Sequence, residues 1–432
     1  MSVKILLIGS GGREHAFAWK LSQSKKCEKL YIAPGNAGTS ECGENIDLDV
    51  KSFSKVKEFV LQNQVELVIV GPEEPLVNGI TDFFLEDEIL KSIPVIGPTK
   101  AGALLEGSKD FAKEFMRKNS IPTASFQTFT KETLSEGLKF LETLKAPYVL
   151  KADGLAAGKG VIIPETLEAA KSELTDMLTS GRFGSAGNKV VIEEFLKGIE
   201  CSVFVLTDGE TYKILPEAKD YKRIGDGDTG LNTGGMGAVS PVPFVDSDFM
   251  SKVEERVIKP TISGLKNAKI RYQGFIFIGL MNVDGNPFVI EYNVRMGDPE
   301  TEVVIPRIKN DLVELFLATA SVQLEKIDFE IEVRTAVTIM LVSGGYPGDY
   351  EKGKVITIGK KNESMIFHAG TKVSSENSIV TNGGRVLSIT AFGNSISEAK
   401  TTAYEQIDSI SFEGCYFRKD IGIDLLELEE KA

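Results

Sequence analysis

The pattern of apolar and polar residues predicts a regular alternation of strands and helices in the first hundred residues. Short, almost wholly apolar runs lie at residues 3–8, 30–33, 67–70 and 95–96, and segments with helical spacing lie at residues 14–21 and 53–61. Buried strands that alternate with amphipathic helices are typical of a parallel sheet covered by helices on its faces. This part of the chain therefore predicts an α/β domain of the Rossmann-like kind.

After residue 101 the pattern predicts mixed helices and strands. Helices are predicted at residues 108–117, 166–179 and 397–407, and strands at residues 147–151, 161–163, 189–194, 275–281, 288–292, 336–342 and 385–392. Because helices and strands no longer alternate regularly, these regions favour α+β structure. The predicted domains are residues 1–104, residues 105–327 with a smaller unit at about 122–194, and residues 328–432.

The composition is that of an ordinary globular protein, with 432 residues, of which 42% are hydrophobic and 26% are charged. The formal net charge of -13 argues against a bulk attraction to nucleic acid or to anionic membranes. A phosphate-bearing ligand would need cations gathered locally, or a bound metal ion. We therefore expect no nucleic-acid partner and no membrane partner. Small-molecule partners and a monomer are separate expectations.

Cysteine and histidine usage argues against several kinds of catalytic site. Cys27, Cys42, Cys201 and Cys415 form no C-x-x-C pair and are expected to be reduced thiols of a cytoplasmic protein. With only two histidines, a zinc site and a Ser-His-Asp triad are both poorly supported. The first apolar run is too short for a signal peptide, and no run approaches ~18 residues, so no transmembrane helix is expected.

The loop at residues 151–160 is the first strong candidate for a binding site. It is rich in glycine and alanine and lies between two predicted strands. Small residues leave backbone N–H groups free to approach phosphate oxygens, and Lys151 and Lys159 supply positive charge. The alternative is a flexible hairpin with solvated lysines.

A strand at residues 190–196 could serve an adenine ring. Such a ring needs an apolar slot and hydrogen bonds to its edge, which the backbone near Glu193 and Phe195 could offer. Glu200 could accept hydrogen bonds from ribose hydroxyls. Alternatively, these acidic residues are simply solvated at the end of a strand.

Glu291 and Asn293 are candidates for metal ligands. Residues i and i+2 of a strand point to one face, so their side-chain oxygens would lie side by side, as suits magnesium shared with phosphates. Arg295 would continue the same face as a cation. The alternative is a surface strand with alternating polar residues.

Two glycine-rich segments complete the set. Residues 220–237 contain many glycines, which implies close approach to a ligand, or otherwise a mobile acidic loop. Residues 9–14 form a turn after the first strand that would place a phosphate at a helix N-terminus, helped by Arg13. Glu14 replaces the third glycine of a dinucleotide fingerprint, so a whole NAD molecule is not well supported. Residues 34–38 and 71–75 would line the same crevice.

In this order, the motifs resemble the ATP-grasp ligases, and among them the phosphoribosylamine–glycine ligases, also called glycinamide ribonucleotide synthetases. The resemblance covers essentially the whole chain and is carried by residues 8–15, 71–73, 105–109, 151–160, 225–237 and 297–301. Tyr221, Tyr292 and Met296 depart from the residues usual in the family. These are interpreted as packing positions.

The resemblance implies a fold and a reaction. The fold would comprise a Rossmann-like N-terminal domain, a small lid, a central ATP-grasp domain and an α+β C-terminal domain. ATP, glycine and 5-phosphoribosylamine would give ADP, phosphate and glycinamide ribonucleotide in de novo purine biosynthesis. Glycyl phosphate would be the intermediate, and no enzyme nucleophile is needed.

The resemblance also implies roles for individual residues. Glu291 and Asn293 would bind Mg²⁺ or Mn²⁺. Because residues 275–281 add no acidic ligand, phosphates and water would supply the other ligands. ATP would contact Lys109, Lys151, Gly158, Glu193, Glu194, Phe195 and Glu200. The other substrates would contact Gly11, Gly12, Arg13, Glu14, Glu73, Asp220, Arg295 and Asp298. Catalysis would use Arg295, Lys159, Asp220 and Asp298.

Within that scheme, Arg295 would hold the glycine carboxylate, Glu73 the ribose hydroxyls, and the turn at residues 9–14 the sugar phosphate. Asp220 and Asp298 would grip the amines. Residues 149–193 would act as a lid that admits ATP and excludes water. Three alternatives stay open: an ATP-grasp enzyme with another acid or amine, an NAD-dependent oxidoreductase, and an inactive nucleotide-binding module.

Overall fold

The computed structural model describes residues 2–155 and 160–429. Its N-terminal region is a parallel sheet between helices. Its elements are β1 (Val3–Gly9), α1 (Gly12–Leu21), β2 (Cys27–Pro34), β3 (Glu44–Asn45), α2 (Phe53–Gln62), β4 (Leu67–Val70), α3 (Glu73–Val77), α4 (Ile80–Glu86), β5 (Val95–Ile96) and α5 (Lys100–Gly107). The strand order is β3-β2-β1-β4-β5, with every pairing parallel.

Successive residues of β1 and β4 enter two different cores. Leu6 and Val68 pack in one hydrophobic cluster, whereas Leu7 and Ile69 pack in another on the opposite face. The strands are therefore apolar throughout, as strands covered on both faces are. Their carboxyl ends open into one crevice, which receives the turns that follow β1, β2 and β4.

A small α+β unit follows helix α6 (Lys109–Lys118). Its elements are β6 (Phe126–Thr130), α7 (Leu134–Leu141), β7 (Val149–Ala152), β8 (Val161–Ile162), α8 (Leu167–Thr179) and β9 (Lys189–Glu193). Among the residues that the structure describes, these strands form an antiparallel sheet of order β6-β9-β7-β8. The sheet and both helices share a hydrophobic core of their own, so the unit is packed as a separate body.

The rest of the chain is organised around one large antiparallel sheet. The central elements are β10 (Ile199–Thr207), β11 (Tyr212–Asp220), β12 (Arg223–Gly225), β13 (Thr229–Asn232), β14 (Gly237–Ser240), α9 (Ser247–Val253), α10 (Lys259–Asn267), β15 (Gly274–Val283), β16 (Asn286–Asn293), α11 (Thr301–Arg307) and α12 (Leu312–Ala320). The C-terminal elements are β17 (Thr335–Val342), β18 (Thr357–Ile358), β19 (Met365–His368), β20 (Thr371–Val373), β21 (Ile379–Thr381), β22 (Arg385–Gly393), α13 (Ile396–Ile407), β23 (Ile410–Ser411) and α14 (Ile423–Glu429). Within the described ranges the large sheet has the order β16-β15-β10-β11-β14-β17-β22-β19.

The predicted mixed α/β and α+β architecture is confirmed, and two features were not predicted. The segment expected to be a loop at residues 225–237 contains strand β13, which pairs with β12 as a hairpin. The large sheet also continues across the predicted boundary at residue 328, because β17 pairs with β14. No helix in residues 2–155 and 160–429 combines the length and the hydropathy needed to cross a membrane.

Candidate active site

The turn after β1 is closed by the side chain of Glu14. Its carboxylate accepts hydrogen bonds of 2.6 Å from the Gly11 N–H and of 2.6 Å from Nε of Arg13. A Cβ at Gly9 would lie 2.4 Å from the carboxyl carbon of Glu14, and one at Gly71 would lie 2.1 Å from a carboxylate oxygen. Glycine is therefore required at both positions for this side chain to pass between β1 and β4. The predicted contact of Glu14 with substrate stays a prediction.

Arg13 lies beneath the turn and connects the N-terminal region to the central one. Its Nη1 donates a 3.2 Å hydrogen bond to the carbonyl of Met296, and the residue is 7% exposed. Burial opposes its charge, but the pKa of Arg13 is nevertheless raised by Glu14, Asp298 and Glu73. Arg13 is thus a permanently charged group under the site predicted for the sugar phosphate.

Asp298 faces the same turn and pairs with a cation from the C-terminal region. Its Oδ1 lies 3.0 Å from Nη2 of Arg385, and Arg385 also donates a 2.8 Å hydrogen bond to its carbonyl. A Cβ at Gly11 would lie 3.1 Å from Oδ2 of Asp298. Sequence reasoning missed Arg385, which is 87 residues away and is brought close only by the pairing of β22 with β17.

Two buried acids lie next to Asp298. Neither carboxylate oxygen of Glu302 has a hydrogen-bond partner in the described part of the chain, and the residue is 0% exposed. Burial and Asp298 raise the pKa of Glu302 well above its usual value, only partly offset by Arg385. Burial, with Asp220, raises the pKa of Glu300 to about 8. In both residues the raised pKa favours the protonated carboxyl group.

Arg295 is held between two glutamates. Its Nη2 donates a 2.8 Å hydrogen bond to Oε1 of Glu106, and its Nε lies 3.4 Å from Oε2 of Glu73. The other oxygen of Glu106 accepts a 2.8 Å hydrogen bond from the Val294 N–H. Glu106 therefore fixes the guanidinium and its backbone together, whereas Nε is buried at the longer contact with Glu73 and has no hydrogen-bond partner within the described residues. Glu106 belongs to the motif at residues 105–109, and sequence reasoning predicted no role for it.

Glu291, Asn293 and Arg295 lie on one face at the end of β16, as the alternation predicted. The intervening Tyr292 and Val294 are 2% and 1% exposed and belong to the core. Nη2 of Arg295 lies 3.4 Å from Oδ1 of Asn293, which places the side chains on the same side.

The oxygen donors of Glu291 and Asn293 suit a hard divalent cation. Across residues 2–155 and 160–429, no group of three or more His, Cys, Asp or Glu side chains could hold a metal ion alone. A cation at Glu291 and Asn293 would therefore need further ligands, such as phosphate and water oxygens.

The region predicted to bind ATP contains a buried lysine pair. Lys113 and Lys151 lie 2.7 Å and 2.9 Å from the two carboxylate oxygens of Glu193, so two cations share one anion. Although burial opposes its charge, Lys151 and Lys113 lower the pKa of Glu193. Burial lowers the pKa of Lys113 to about 8. Lys113 was missed, although it interrupts the apolar face of α6 between Ala112 and Phe115.

The remaining residues predicted to contact ATP lie around this pair. Nζ of Lys109 donates a 3.1 Å hydrogen bond to the Gly154 carbonyl. Glu194 accepts hydrogen bonds of 2.8 Å and 2.9 Å from the N–H and hydroxyl of Ser125. Phe195 is 41% exposed, as a ring available for stacking would be. Gly158 and Lys159 lie outside the described residues.

Asp220, Glu200 and Lys222 form a charged cluster beside Glu291. Nζ of Lys222 lies 2.7 Å from Oε2 of Glu200, and all four residues line one small cavity. Burial raises the pKa of Asp220, with Lys222 opposing and Glu200 adding to the shift. Lys222 was not predicted as a site residue, and Glu200 lies close to Glu291, one of the two predicted metal ligands.

Comparison with known proteins identifies the family. Three family models match, described as the N domain of phosphoribosylglycinamide synthetase at residues 3–106, its ATP-grasp (A) domain at residues 107–301 and its C domain at residues 336–424. Proteins named phosphoribosylamine–glycine ligase are 46% identical in Vibrio parahaemolyticus and 45% identical in Escherichia coli strain K12. Both alignments cover 99% of this chain and 100% of the relative.

Solved structures agree with this relationship. The crystal structure of phosphoribosylamine–glycine ligase from Thermotoga maritima has a TM-score of 0.83 and 38% identity, and covers 97% of this chain and 100% of its own. The biotin carboxylase domain of a 2-oxoglutarate carboxylase from Hydrogenobacter thermophilus shares the fold alone, with a TM-score of 0.72, 15% identity, and coverage of 100% and 95%. The chain therefore belongs to the phosphoribosylglycinamide synthetase family of ATP-grasp enzymes, whose members are ATP-dependent ligases of purine biosynthesis.

Proposed function

We propose that the chain joins glycine to 5-phosphoribosylamine, with conversion of ATP to ADP and phosphate, through a glycyl phosphate intermediate. The observation that carries this proposal is the face shared by Glu291, Asn293 and Arg295. It brings oxygen donors for a cation and a guanidinium for a carboxylate within reach of each other. The turn at residues 9–12 supplies a neighbouring place for the sugar phosphate.

In the first step, a carboxylate oxygen of glycine attacks the γ-phosphorus of ATP, and ADP leaves. Arg295 would hold the glycine carboxylate with its guanidinium, which Glu106 fixes in place. Lys113 and Lys151 share one carboxylate and so keep one net positive charge towards the triphosphate. Glu291 and Asn293 would hold Mg²⁺ or Mn²⁺, which supplies neutralisation of phosphate charge.

In the second step, the neutral amine attacks the carbonyl carbon of glycyl phosphate, phosphate leaves and the amine loses a proton. Asp298 and Asp220 are our proposed contacts for the two amines. Asp298 faces Gly11 of the sugar-phosphate turn, which supports the phosphoribosylamine side, and Asp220 lies beside Glu291, which supports the glycine side. Glu73 is proposed to contact the ribose hydroxyls.

The unit between β6 and β9 is proposed to be the lid. Its separate core allows it to move as one body, while Lys151 on β7 would carry a cation towards the triphosphate and Glu193 on β9 pairs with Lys151. A non-hydrolysable ATP analogue should slow protease cleavage at residues 156–160, which lie largely outside the described residues. Equal cleavage rates with and without the analogue would argue against closure.

The reaction is tested by measuring ADP release with each component omitted in turn. ADP formation should require ATP, a divalent cation, glycine and phosphoribosylamine generated in situ. Glycine labelled with ¹⁸O in its carboxylate should transfer one label to each phosphate released, because that oxygen becomes the bridge in glycyl phosphate. Unlabelled phosphate would exclude the intermediate, and ADP formation independent of glycine would exclude this substrate.

We also propose that the chain acts as a monomer in the cytoplasm. Its four cysteines all lie in the described ranges and are free thiols, as in a protein of a reducing compartment. Light scattering of the purified chain tests the oligomeric state directly. A mass of twice 47.0 kDa would contradict a monomer.

A further inference from the structure

Tyr221 is a buried tyrosine between two residues of the candidate active site. It follows Asp220 at the end of β11 and precedes Lys222, and it is 2% exposed. Its hydroxyl donates a 2.5 Å hydrogen bond to Oδ1 of Asp424. Nζ of Lys219 lies 3.7 Å from the centre of the ring and 3.1 Å from Oδ2 of Asp424. The Tyr221 side chain is thus held by a cation against its ring and by a carboxylate at its hydroxyl.

A second group of contacts joins the same C-terminal segment to the β12–β13 turn. Arg418 is 1% exposed and binds Asp420 through two hydrogen bonds of 2.7 Å and 2.6 Å. Its Nη1 donates a 2.6 Å hydrogen bond to Oδ1 of Asp228. Oδ2 of Asp420 accepts a 2.7 Å hydrogen bond from the Gly227 N–H. The turn is therefore bound by charged side chains of the C-terminal segment.

The alternation of side chains links these contacts to the site. Tyr221 points into the C-terminal core, so Asp220 and Lys222, its neighbours on either side, face the opposite way, towards Glu200. The Tyr221 carbonyl also accepts a 2.7 Å hydrogen bond from the Met236 N–H. A shift of the Tyr221 ring would therefore move both active-site neighbours.

We propose that residues 418–424, named here the C-terminal clasp, set the positions of Asp220 and Lys222 for ligation by holding Tyr221 and the turn at residues 226–228. The link to ligation rests on the proposed function. Tyr221 and Arg418 are then positioning residues, since neither needs to touch substrate.

Charged residues of the clasp contact the β12–β13 hairpin, which is otherwise largely exposed. Residues 229–232 of the hairpin are exposed throughout, so little apolar packing fixes them. The side chain of Asp228 is 59% exposed and that of Asp424 is 47% exposed, although both bind buried partners. The hairpin therefore depends on these charge-assisted hydrogen bonds for its position.

Tyr221→Phe and Asp424→Asn test the first contact. Each weakens the same hydrogen bond, so kcat/KM for glycine should fall about 10-fold while KM for ATP changes by less than about twofold. The double variant should be no worse than the more impaired single variant, because the two changes share one interaction. Tyr416→Phe is the matched control. It lies near the same segment with a ring that is 38% exposed, and should keep wild-type kinetics.

Arg418→Gln tests the second contact without using activity. Hydrogen exchange at residues 222–233 should accelerate about 10-fold or more, while exchange in the N-terminal sheet stays unchanged. Wild-type kinetics in Tyr221→Phe, or unchanged exchange in Arg418→Gln, would overturn the clasp. If the wild-type protein lacks glycine-dependent turnover, the proposed function fails while the exchange experiment still decides the clasp. If Arg418→Gln does not fold, exchange in Tyr221→Phe gives the answer.

Discussion

Replacing Glu302 with glutamine should make the protein progressively more stable than wild type as the pH rises. The wild-type carboxyl is fully buried, and within the described residues neither of its oxygens has a hydrogen-bond partner. Burial raises the pKa of Glu302 in the folded protein well above its usual value, with Asp298 adding to the shift. The folded state therefore holds a proton that the unfolded state releases above its own, ordinary pKa.

The sign and the size of this change in relative stability follow from proton linkage. Above the unfolded-state pKa the folded state binds more protons, so wild-type stability falls as the pH rises, until the folded-state pKa is passed. The loss is about 1.4 kcal/mol for each pH unit. For 432 residues the unfolding entropy is roughly 0.9 kcal/mol/K, which converts the loss to about 1.5 °C for each pH unit. From about pH 5.5 upwards, the difference in Tm should therefore grow by about 1.5 °C for each pH unit until the folded-state pKa is passed.

The assay is calorimetric unfolding of wild type and Glu302→Gln over this pH range. A difference in Tm that does not change with pH reports how well the amide fits the buried position. A difference in Tm that grows with pH reports the proton that the Glu302 carboxyl holds in the folded state. Glu376→Gln, at an exposed loop position, is the matched control and should follow wild type at every pH. A pH-independent difference for Glu302→Gln would refute the argument, because the carboxyl would then titrate alike in both states.

Three other substitutions test the site. Glu291→Gln should lower turnover about 100-fold or more if this side chain holds the cation, and near-normal activity would remove it from the site. Gly12→Ala should destabilise the protein by about 1–3 kcal/mol in thermal unfolding, because the new Cβ would lie 2.2 Å from Oε1 of Glu302; an unchanged Tm would show that the turn can move. Glu193→Gln should cost about 3–5 kcal/mol and raise KM for ATP, because Lys113 loses its carboxylate partner in the interior; unchanged stability would mean that Lys113 is neutral.

Local patterns predicted the elements and the residues that share one strand. β4 and β5 were predicted with their observed ends, because each is a short apolar run between turn residues. Glu291, Asn293 and Arg295 were placed on one face by the two-residue period alone. Such predictions succeed because the information lies within a few positions of the chain.

Contacts between distant segments could not be predicted in this way. The predicted contact of Glu14 with substrate stays a prediction, but the motif gave no sign that its carboxylate fills the space left by Gly9 of β1 and by Gly71 after β4. Lys113 carried a usable signal, a lysine within the apolar face of a helix. Arg385 carried none, since its role depends on how β22 enters the large sheet.

The proposed sugar-amine subsite depends on all three regions of the chain, although the motif residues come from only two. Asp298 of the central region is paired with Arg385 of the C-terminal region. Asn36, from the turn after β2, donates hydrogen bonds of 2.8 Å to the Ser10 carbonyl and 2.7 Å to the His368 carbonyl. Without the C-terminal region, Asp298 would be an unpaired acid beside the turn, and Asn36 would lose one of its anchors. The C-terminal region therefore contributes to the proposed site by fixing residues of the other two regions.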